Sequence, residues 1–267
     1  MKHLFFFDID GTLVECRKGI YSIPKTTREA LNKLQAQGDD VFLATGRCQC
    51  FILDGVMDYP FSGYVTCNGA YVEYKGKPIY KKVISAEAIR VTHQLCKERH
   101  MVYYFEANDY IYVPDKNDEK HIHFKEMWGM KDQVIIDYYD PEKIETYIGM
   151  VVVNDKSDIE IMVKTLSPYF DIQRHQSGFS FDLTLKGESK GKGIRKLVEA
   201  LDSDMKYTVA FGDGRNDIEM LSEVGLGIAM GNAAIEAKEA ADYITEDVDK
   251  EGIMKALYHF QFLQETS

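Results

Sequence analysis

Long apolar runs are missing from this chain. The first, Leu4–Phe7, stops after four residues at Asp8, too short for the core of a secretory signal. No later stretch approaches the roughly 18 apolar residues that a bilayer span needs. The expectation is a soluble, cytoplasmic protein with no membrane partner. Basic charge is also in deficit. Lys and Arg total 32 against 43 Asp and Glu, a net charge of −11. Binding a nucleic-acid backbone is driven by released counterions and needs a basic face, so nucleic acid is excluded as the expected partner. A small anion is not excluded, because a few cations or a metal ion can reverse the field locally. Cysteine is sparse and odd in number: Cys16, Cys48, Cys50, Cys67 and Cys96. That argues against a disulfide framework, and a chain of 267 residues buries enough surface to fold without one. Internal repeats and low-complexity tracts are absent. What remains is ordinary globular composition, 45% hydrophobic and 28% charged.

The opening reads as alternating strands and helices. Leu4–Phe7 is wholly apolar, as suits a strand buried on both faces. Thr26 or Thr27 can cap a helix carrying Ala30, Leu31 and Leu34 and ending at Gly38. Val41–Ala44 and Tyr64–Cys67 are further apolar strands, and Tyr71–Tyr80 reads as a hairpin around Lys75-Gly76. From about Val83 to Leu185 the style changes to α+β. It has a helix at Ser85–Arg99, strands at Met101–Phe105, Tyr110–Val113 and Ile148–Val153, and a helix at Asp158–Leu166. Strands at Ile172–His175 and Phe179–Leu185 complete it. The α/β pattern then resumes through strands Thr208–Gly212 and Gly225–Ala229 and a last helix at Gly252–Phe260. The expected fold class is α/β, a parallel-sheet core with helices on both faces (1–82 and 186–267), interrupted by an inserted domain (83–185).

Four segments carry chemistry. Asp8-Ile9-Asp10-Gly11-Thr12 directly follows the first strand, where open α/β sheets place ligands. Two acids one residue apart, with glycine next, suit a hard cation and a tight turn that presents N–H groups to an anion. A plain acidic turn has the same appearance. Ala44-Thr45-Gly46-Arg47 ends the second strand; a hydroxyl and a free N–H there can hold a phosphate oxygen, or simply form a turn. Lys190, in Ser189-Lys190-Gly191-Lys192-Gly193, heads a helix. Lysine there runs against the helix dipole, which favours an anion-binding role over a solvated charge; Lys192 reads as solvated. Gly212-Asp213-Gly214-Arg215-Asn216-Asp217 crosses a strand-to-helix turn. Its two carboxylates can face one point, or Asp217 can merely support the first helical turn.

Taken together, these residues resemble the four motifs of the haloacid dehalogenase-like hydrolase superfamily. The insert falls between the threonine and lysine motifs, as in the Cof-type phosphatases with a large α/β cap, and Asn68-Gly69-Ala70 also resembles that subfamily. The resemblance implies a Rossmann-like core and a cap that selects the leaving group. It implies a Mg²⁺-dependent phosphatase acting on a small phosphate monoester, sugar phosphates foremost, as a monomer or weak homo-oligomer. By the same resemblance Asp8 is the nucleophile and becomes an aspartyl-phosphate. Asp8, the backbone carbonyl of Asp10, and Asp213 hold the metal, with Asp217 ligating directly or through water. Asp10 is the general acid and then the base, expected to be buried among the other acids so as to carry its proton. Thr45, the N–H groups of Ile9 and Gly46, Lys190 and Asn216 bind phosphoryl oxygens, and Asn68 is a candidate substrate contact. Alternatives sharing these motifs are a phosphomutase, a specialised disaccharide-phosphate phosphatase and a non-catalytic sugar-phosphate sensor.

Other features are read as structural. His121 and His123 share a strand face in this reading but have no third ligand in view. Cys48-x-Cys50 has the wrong spacing for a thioredoxin-like pair. Most insert aromatics (Tyr103, Tyr104, Tyr110, Tyr112, Trp128, Tyr138, Tyr139) are assigned to core packing. Arg47 can contact substrate or pair with a core carboxylate, and stays outside the catalytic set.

Overall fold

The computed structural model describes residues 2–128, 130–175 and 178–264. In chain order the elements begin β1 (Leu4–Phe7), α1 (Lys25–Ala36), β2 (Asp40–Ala44), α2 (Asp54–Met57), β3 (Gly63–Thr66), β4 (Tyr71–Tyr74) and β5 (Lys77–Lys81). Next come α3 (Ala86–Arg99), β6 (Val102–Glu106), β7 (Ile111–Tyr112), α4 (Glu119–Trp128), β8 (Ile135–Ile136), β9 (Ile148–Val152), α5 (Lys156–Leu166), β10 (Phe170–Arg174) and β11 (Ser180–Leu185). The chain closes with α6 (Lys190–Ala200), β12 (Thr208–Gly212), α7 (Ile218–Glu223), β13 (Leu226–Ala229), α8 (Ile235–Ala240), β14 (Tyr243–Ile244) and α9 (Gly252–His259). No helix among the described residues is long and apolar enough to cross a membrane.

Two compact units result: Met1–Arg47, Ile52–Tyr80 and Ser189–Ser267 in one, Cys48–Phe51 and Lys81–Glu188 in the other. Sequence patterning alone does not reveal that Cys48–Phe51 goes with the second. It does so through Cys50 N–H donating to the Asn108 carbonyl (2.9 Å) and Asn108 Nδ2 donating to Gln49 Oε1 (2.8 Å).

The first unit is built on a sheet ordered β14-β13-β12-β1-β2-β3-β4-β5. Six strands, β14 through β3, run parallel, and β4 returns antiparallel to β3. From β1 the chain moves one way across the sheet through β2 and β3; from β12 it moves the other way through β13 and β14. Right-handed crossovers therefore put α1 on one face and α7 and α8 on the other. α9 packs on α1, and α6 on α7. Central strands enclosed on both faces need continuous apolar sequence, and β1 is Leu-Phe-Phe-Phe with every residue buried. Helix α1 starts earlier than expected. Pro24, with φ −55°, occupies the cap position, so Thr26 and Thr27 lie inside the helix rather than capping it. Proline fixes its own φ, and the helix begins without a side-chain cap.

The second unit has a six-stranded sheet ordered β10-β11-β9-β6-β7-β8. Alternate residues Tyr103, Phe105, Val151, Val153, Phe181 and Leu183 form its core with Ile89 and Cys96 of α3 and Met162 of α5. Tyr103 and Tyr104 are fully buried, as assigned, but Tyr138 is 94% exposed; the Trp128 side chain lies outside the described residues. His121 and His123 are on helix α4 and not on a strand. Two residues apart on a helix, they point to different sides. His121 is buried with Nδ1 3.2 Å from the Tyr104 hydroxyl, while His123 is exposed.

Candidate active site

Neighbouring strands β1 and β12 are where the chain's direction of travel across the sheet reverses, the switch point at which open α/β sheets form ligand crevices. Asp8 leaves the end of β1 with its N–H donating to the Phe211 carbonyl of β12 (3.0 Å). Asp213 leaves the end of β12. The turn after Asp8 depends on Gly11. Its φ is +81°, and a Cβ there would lie 2.1 Å from Asp213 Oδ2, so only glycine lets the turn pass against that carboxylate. Asn232 Nδ2 holds the turn by donating to the Gly11 carbonyl (2.7 Å), and Thr12 Oγ1 donates to Asp213 Oδ1 (3.2 Å).

Asp8, Asp213 and Asp217 each bring one carboxylate oxygen within 4.8 Å of the others. Burial pushes the Asp8 carboxyl up to about 7, with Lys190 opposing the rise and the Asp217 and Asp10 charges adding to it. Burial likewise pushes Asp213 up to about 8, with Asp8 and Asp217 contributing. The acids are thus packed closely enough to disfavour their own charge. Lys190 answers part of it. Its fully buried Nζ donates to Asp8 Oδ1 and to Asp217 Oδ1, both at 2.6 Å. Burial works against the lysine charge, but the two carboxylates outweigh it and hold Lys190 above its ordinary value. Asp217 is occupied on both oxygens: Oδ2 accepts from the N–H groups of Asp213 (2.9 Å) and Gly214 (2.8 Å). It therefore supports its turn, as the plain structural reading expects, and also anchors the lysine.

A second group of residues converges from β2, β3 and the β12 loop. Thr45 is buried at the end of β2 and Gly46 follows it. The turn after β3 holds Cys67, Asn68 and Gly69 with φ values of +53°, +50° and +88°. Two non-glycine residues in the left-handed region form a strained turn, and the Asn68 N–H donates to the Thr45 carbonyl (3.1 Å) to fix it. Asn68 Oδ1 then accepts from Asn216 Nδ2 (3.3 Å) and lies beside Gly46. Gly69 is required too, since a Cβ there would meet the Ser189 carbonyl at 1.9 Å. Ile9 is buried at the base of the first turn.

Two residues differ from expectation. Asp10 is not buried among the other acids: its side chain is 51% exposed. It is gripped by Arg47, whose Nε donates to Oδ2 and Nη2 to Oδ1, both at 2.7 Å. Arg47 is the pairing partner that sequence left undecided. Lys192 is half-buried with its Nζ 6.0 Å from the Tyr80 ring centroid, and not a fully solvated charge.

The donors in the acidic group are all hard oxygens, the set that suits Mg²⁺. The rise in proton affinity of Asp8 and Asp213 marks a site that a divalent cation would relieve. The residues present fit such an ion.

The chain is similar to "Putative phosphatase YkrA" of Bacillus subtilis, 33% identical over 98% of both chains. It is 26% identical to the phosphoglycolate phosphatase of Methanoculleus marisnigri, over 94% of this chain and 93% of that one. Among solved structures, the subclass IIB sugar phosphatase BT4131 superposes with a TM-score of 0.83 at 30% identity, over 98% of this chain and all of that one. The haloacid dehalogenase-like hydrolase family model matches residues 5–257, and the chain belongs to that family.

Proposed function

We propose that the protein is a Mg²⁺-dependent phosphatase of small phosphate monoesters, sugar phosphates foremost, working through a covalent intermediate on Asp8. The observation that carries this reading is the convergence of Asp8, Asp213, Asp217 and Lys190 at the strand switch point, beside the Thr45–Gly46 turn, Asn68 and Asn216. Asp8, Asp213 and the Asp10 backbone carbonyl would hold the ion. Asp217, with both oxygens engaged, would act on it through water. When bound, the ion supplies charge neutralisation that lets a carboxylate approach a phosphate dianion.

The chain's own residues do the rest. An Asp8 carboxylate oxygen forms a bond to phosphorus while the ester P–O bond breaks. Asp10 gives its proton to the departing alkoxide, then takes one from the water that attacks the aspartyl-phosphate and releases inorganic phosphate. Lys190, the Thr45 hydroxyl, the N–H groups of Ile9 and Gly46 and the Asn216 amide position and neutralise the phosphoryl oxygens, which is most of phosphoryl-transfer catalysis. Relatives described as phosphatases, including a sugar phosphatase, support this choice of substrate class. The second compact unit, which interrupts the first in sequence, is proposed as the cap that selects the leaving group.

The test is phosphate release from a panel of sugar phosphates and nucleotides, with Mg²⁺ and with chelator, for the wild type and Asp8→Asn. Metal-dependent release that disappears in Asp8→Asn is expected. Full activity of that variant would sink the covalent mechanism.

A further inference from the structure

Proton transfer asks more of Asp10 than presence. It is one residue past Ile9 and its side chain is half exposed, so nothing in the apolar core fixes its rotamer. A general acid must reach its target within hydrogen-bond distance and be held there. The group that fixes the Asp10 carboxylate is the Arg47 guanidinium, through two parallel bonds of 2.7 Å.

Arg47 is itself held from the backbone. Its N–H donates to Thr45 Oγ1 (3.1 Å), and its carbonyl accepts from the Cys67 N–H (3.0 Å). The side chain is only 23% exposed. A planar fork built on a pinned turn sets both the position and the plane of a carboxylate; a lysine in its place would act as a point charge without fixing the plane. The same turn carries Thr45 and Gly46, so the phosphate-binding loop and the acid's holder form one rigid piece.

We propose that Arg47 is a positioning residue for the leaving-group step: it fixes the Asp10 carboxyl beside the β2 loop and keeps it from rotating into solvent, the protonated acid keeping one of the two bonds while its other oxygen is freed to donate. This rests on the reading of Asp10 as general acid. Arg47 forms no bond to phosphorus and transfers no proton. Its role is confined to the step whose rate depends on protonating the leaving group.

That confinement supplies the test. kcat/KM reports the steps up to release of the alcohol, before the aspartyl-phosphate is hydrolysed. An alkyl phosphate such as a sugar 6-phosphate needs its alkoxide protonated; p-nitrophenyl phosphate leaves as a stable phenolate and does not. Positioned general acids contribute roughly 100- to 10,000-fold. For Arg47→Ala, kcat/KM on the alkyl ester should fall by at least roughly tenfold more than on p-nitrophenyl phosphate. Millimolar guanidinium should restore part of the loss, and Arg47→Lys should fall between Ala and wild type. Asp10→Ala is the control and should show the same leaving-group dependence, more strongly. If Asp10→Ala is leaving-group dependent but Arg47→Ala lowers both esters equally, or only raises KM, the positioning role is refuted and Arg47 binds substrate instead. If Asp10→Ala itself shows no such dependence, the general-acid reading is what fails. Thermal melting of each variant separates either result from loss of fold.

Discussion

Crowding three carboxylates around one buried lysine has a thermodynamic consequence that opposes the usual behaviour of acidic proteins. Asp8 in the folded chain is raised to about 7 from an ordinary 3.8, and Asp213 to about 8. A carboxyl whose folded pKa is raised binds protons more tightly folded than unfolded. Its stabilising contribution is whole below the unfolded value and is lost as pH rises through the folded one. The window runs from about pH 4 to pH 8. A rise of about three units on one group corresponds to roughly 4 kcal/mol. The two carboxyls share one patch of charge, so their contributions do not simply add, and a total loss of roughly 2–4 kcal/mol is expected. For a domain of this size that is on the order of 10 °C in melting temperature. The assay is thermal unfolding in chelator from about pH 5.5 to pH 8, repeated with excess Mg²⁺. In chelator the midpoint should fall with pH; with Mg²⁺ the fall should shrink, because the ion binds the ionised cluster of the folded state. Net charge of −11 also disfavours the compact state at high pH, so Asp213→Asn is the control. It should melt higher than wild type in chelator at pH 8 and should no longer respond to Mg²⁺. A midpoint that is flat or rising with pH in chelator, or an Asp213→Asn variant with the wild-type slope, would refute the reasoning.

Three further outcomes follow from contacts in the first unit. Lys190→Met removes the cation that bridges Asp8 and Asp217 and should cost about 3–5 kcal/mol in chemical denaturation, as expected when one partner of a buried ion group is removed; turnover should be undetectable. Gly11→Ala places a methyl on the Asp213 carboxylate at a backbone angle alanine rarely adopts, so Mg²⁺ affinity by titration should drop by at least roughly tenfold, through the lost ligand geometry. Asn68→Ala forfeits the side chain that tolerates the left-handed turn and the bond to Asn216. It should destabilise by about 1 kcal/mol and raise KM more than it lowers kcat.

Much of the fold was legible because central parallel strands leave no freedom in sequence. β1, β2 and β12 are buried at every residue; β1 is wholly apolar, β2 is apolar after Asp40 and β12 after Thr208, and the strand predicted at Thr208–Gly212 has those bounds in the structure. Elements at the edges were harder. Helix α4, Glu-Lys-His-Ile-His-Phe-Lys-Glu-Met-Trp, has no clean apolar stripe, and the two-residue strands β8 and β14 are too short to show a period. Helix α1 misled in its first turn because a capping threonine and a helical threonine look alike until the proline before them is given its role.

The motifs of the candidate site were legible for a different reason: each sits at a strand end or a helix start, where a turn must form and only a few residue types permit its geometry. Gly11, Asn68 and Gly69 are constrained by backbone angle or by atoms a Cβ would meet, and such constraints leave a trace in local sequence. Pairings across the sheet leave none. Nothing within the Asp8–Thr12 segment says that Asp8 will share a lysine 182 residues later, or that Asp10 will turn outward to a guanidinium 37 residues on. Those depend on which strands become neighbours. Once β1 lies between β12 and β2, their three loops must open on the same crevice. Asp8 and Asp10 then diverge, one toward the β12 acids and Lys190, the other toward the β2 loop and Arg47. Under the proposed mechanism one turn thereby serves two different chemical demands, a nucleophile buried among charges and a proton carrier within reach of water, and the division is set by strand order rather than by the motif itself.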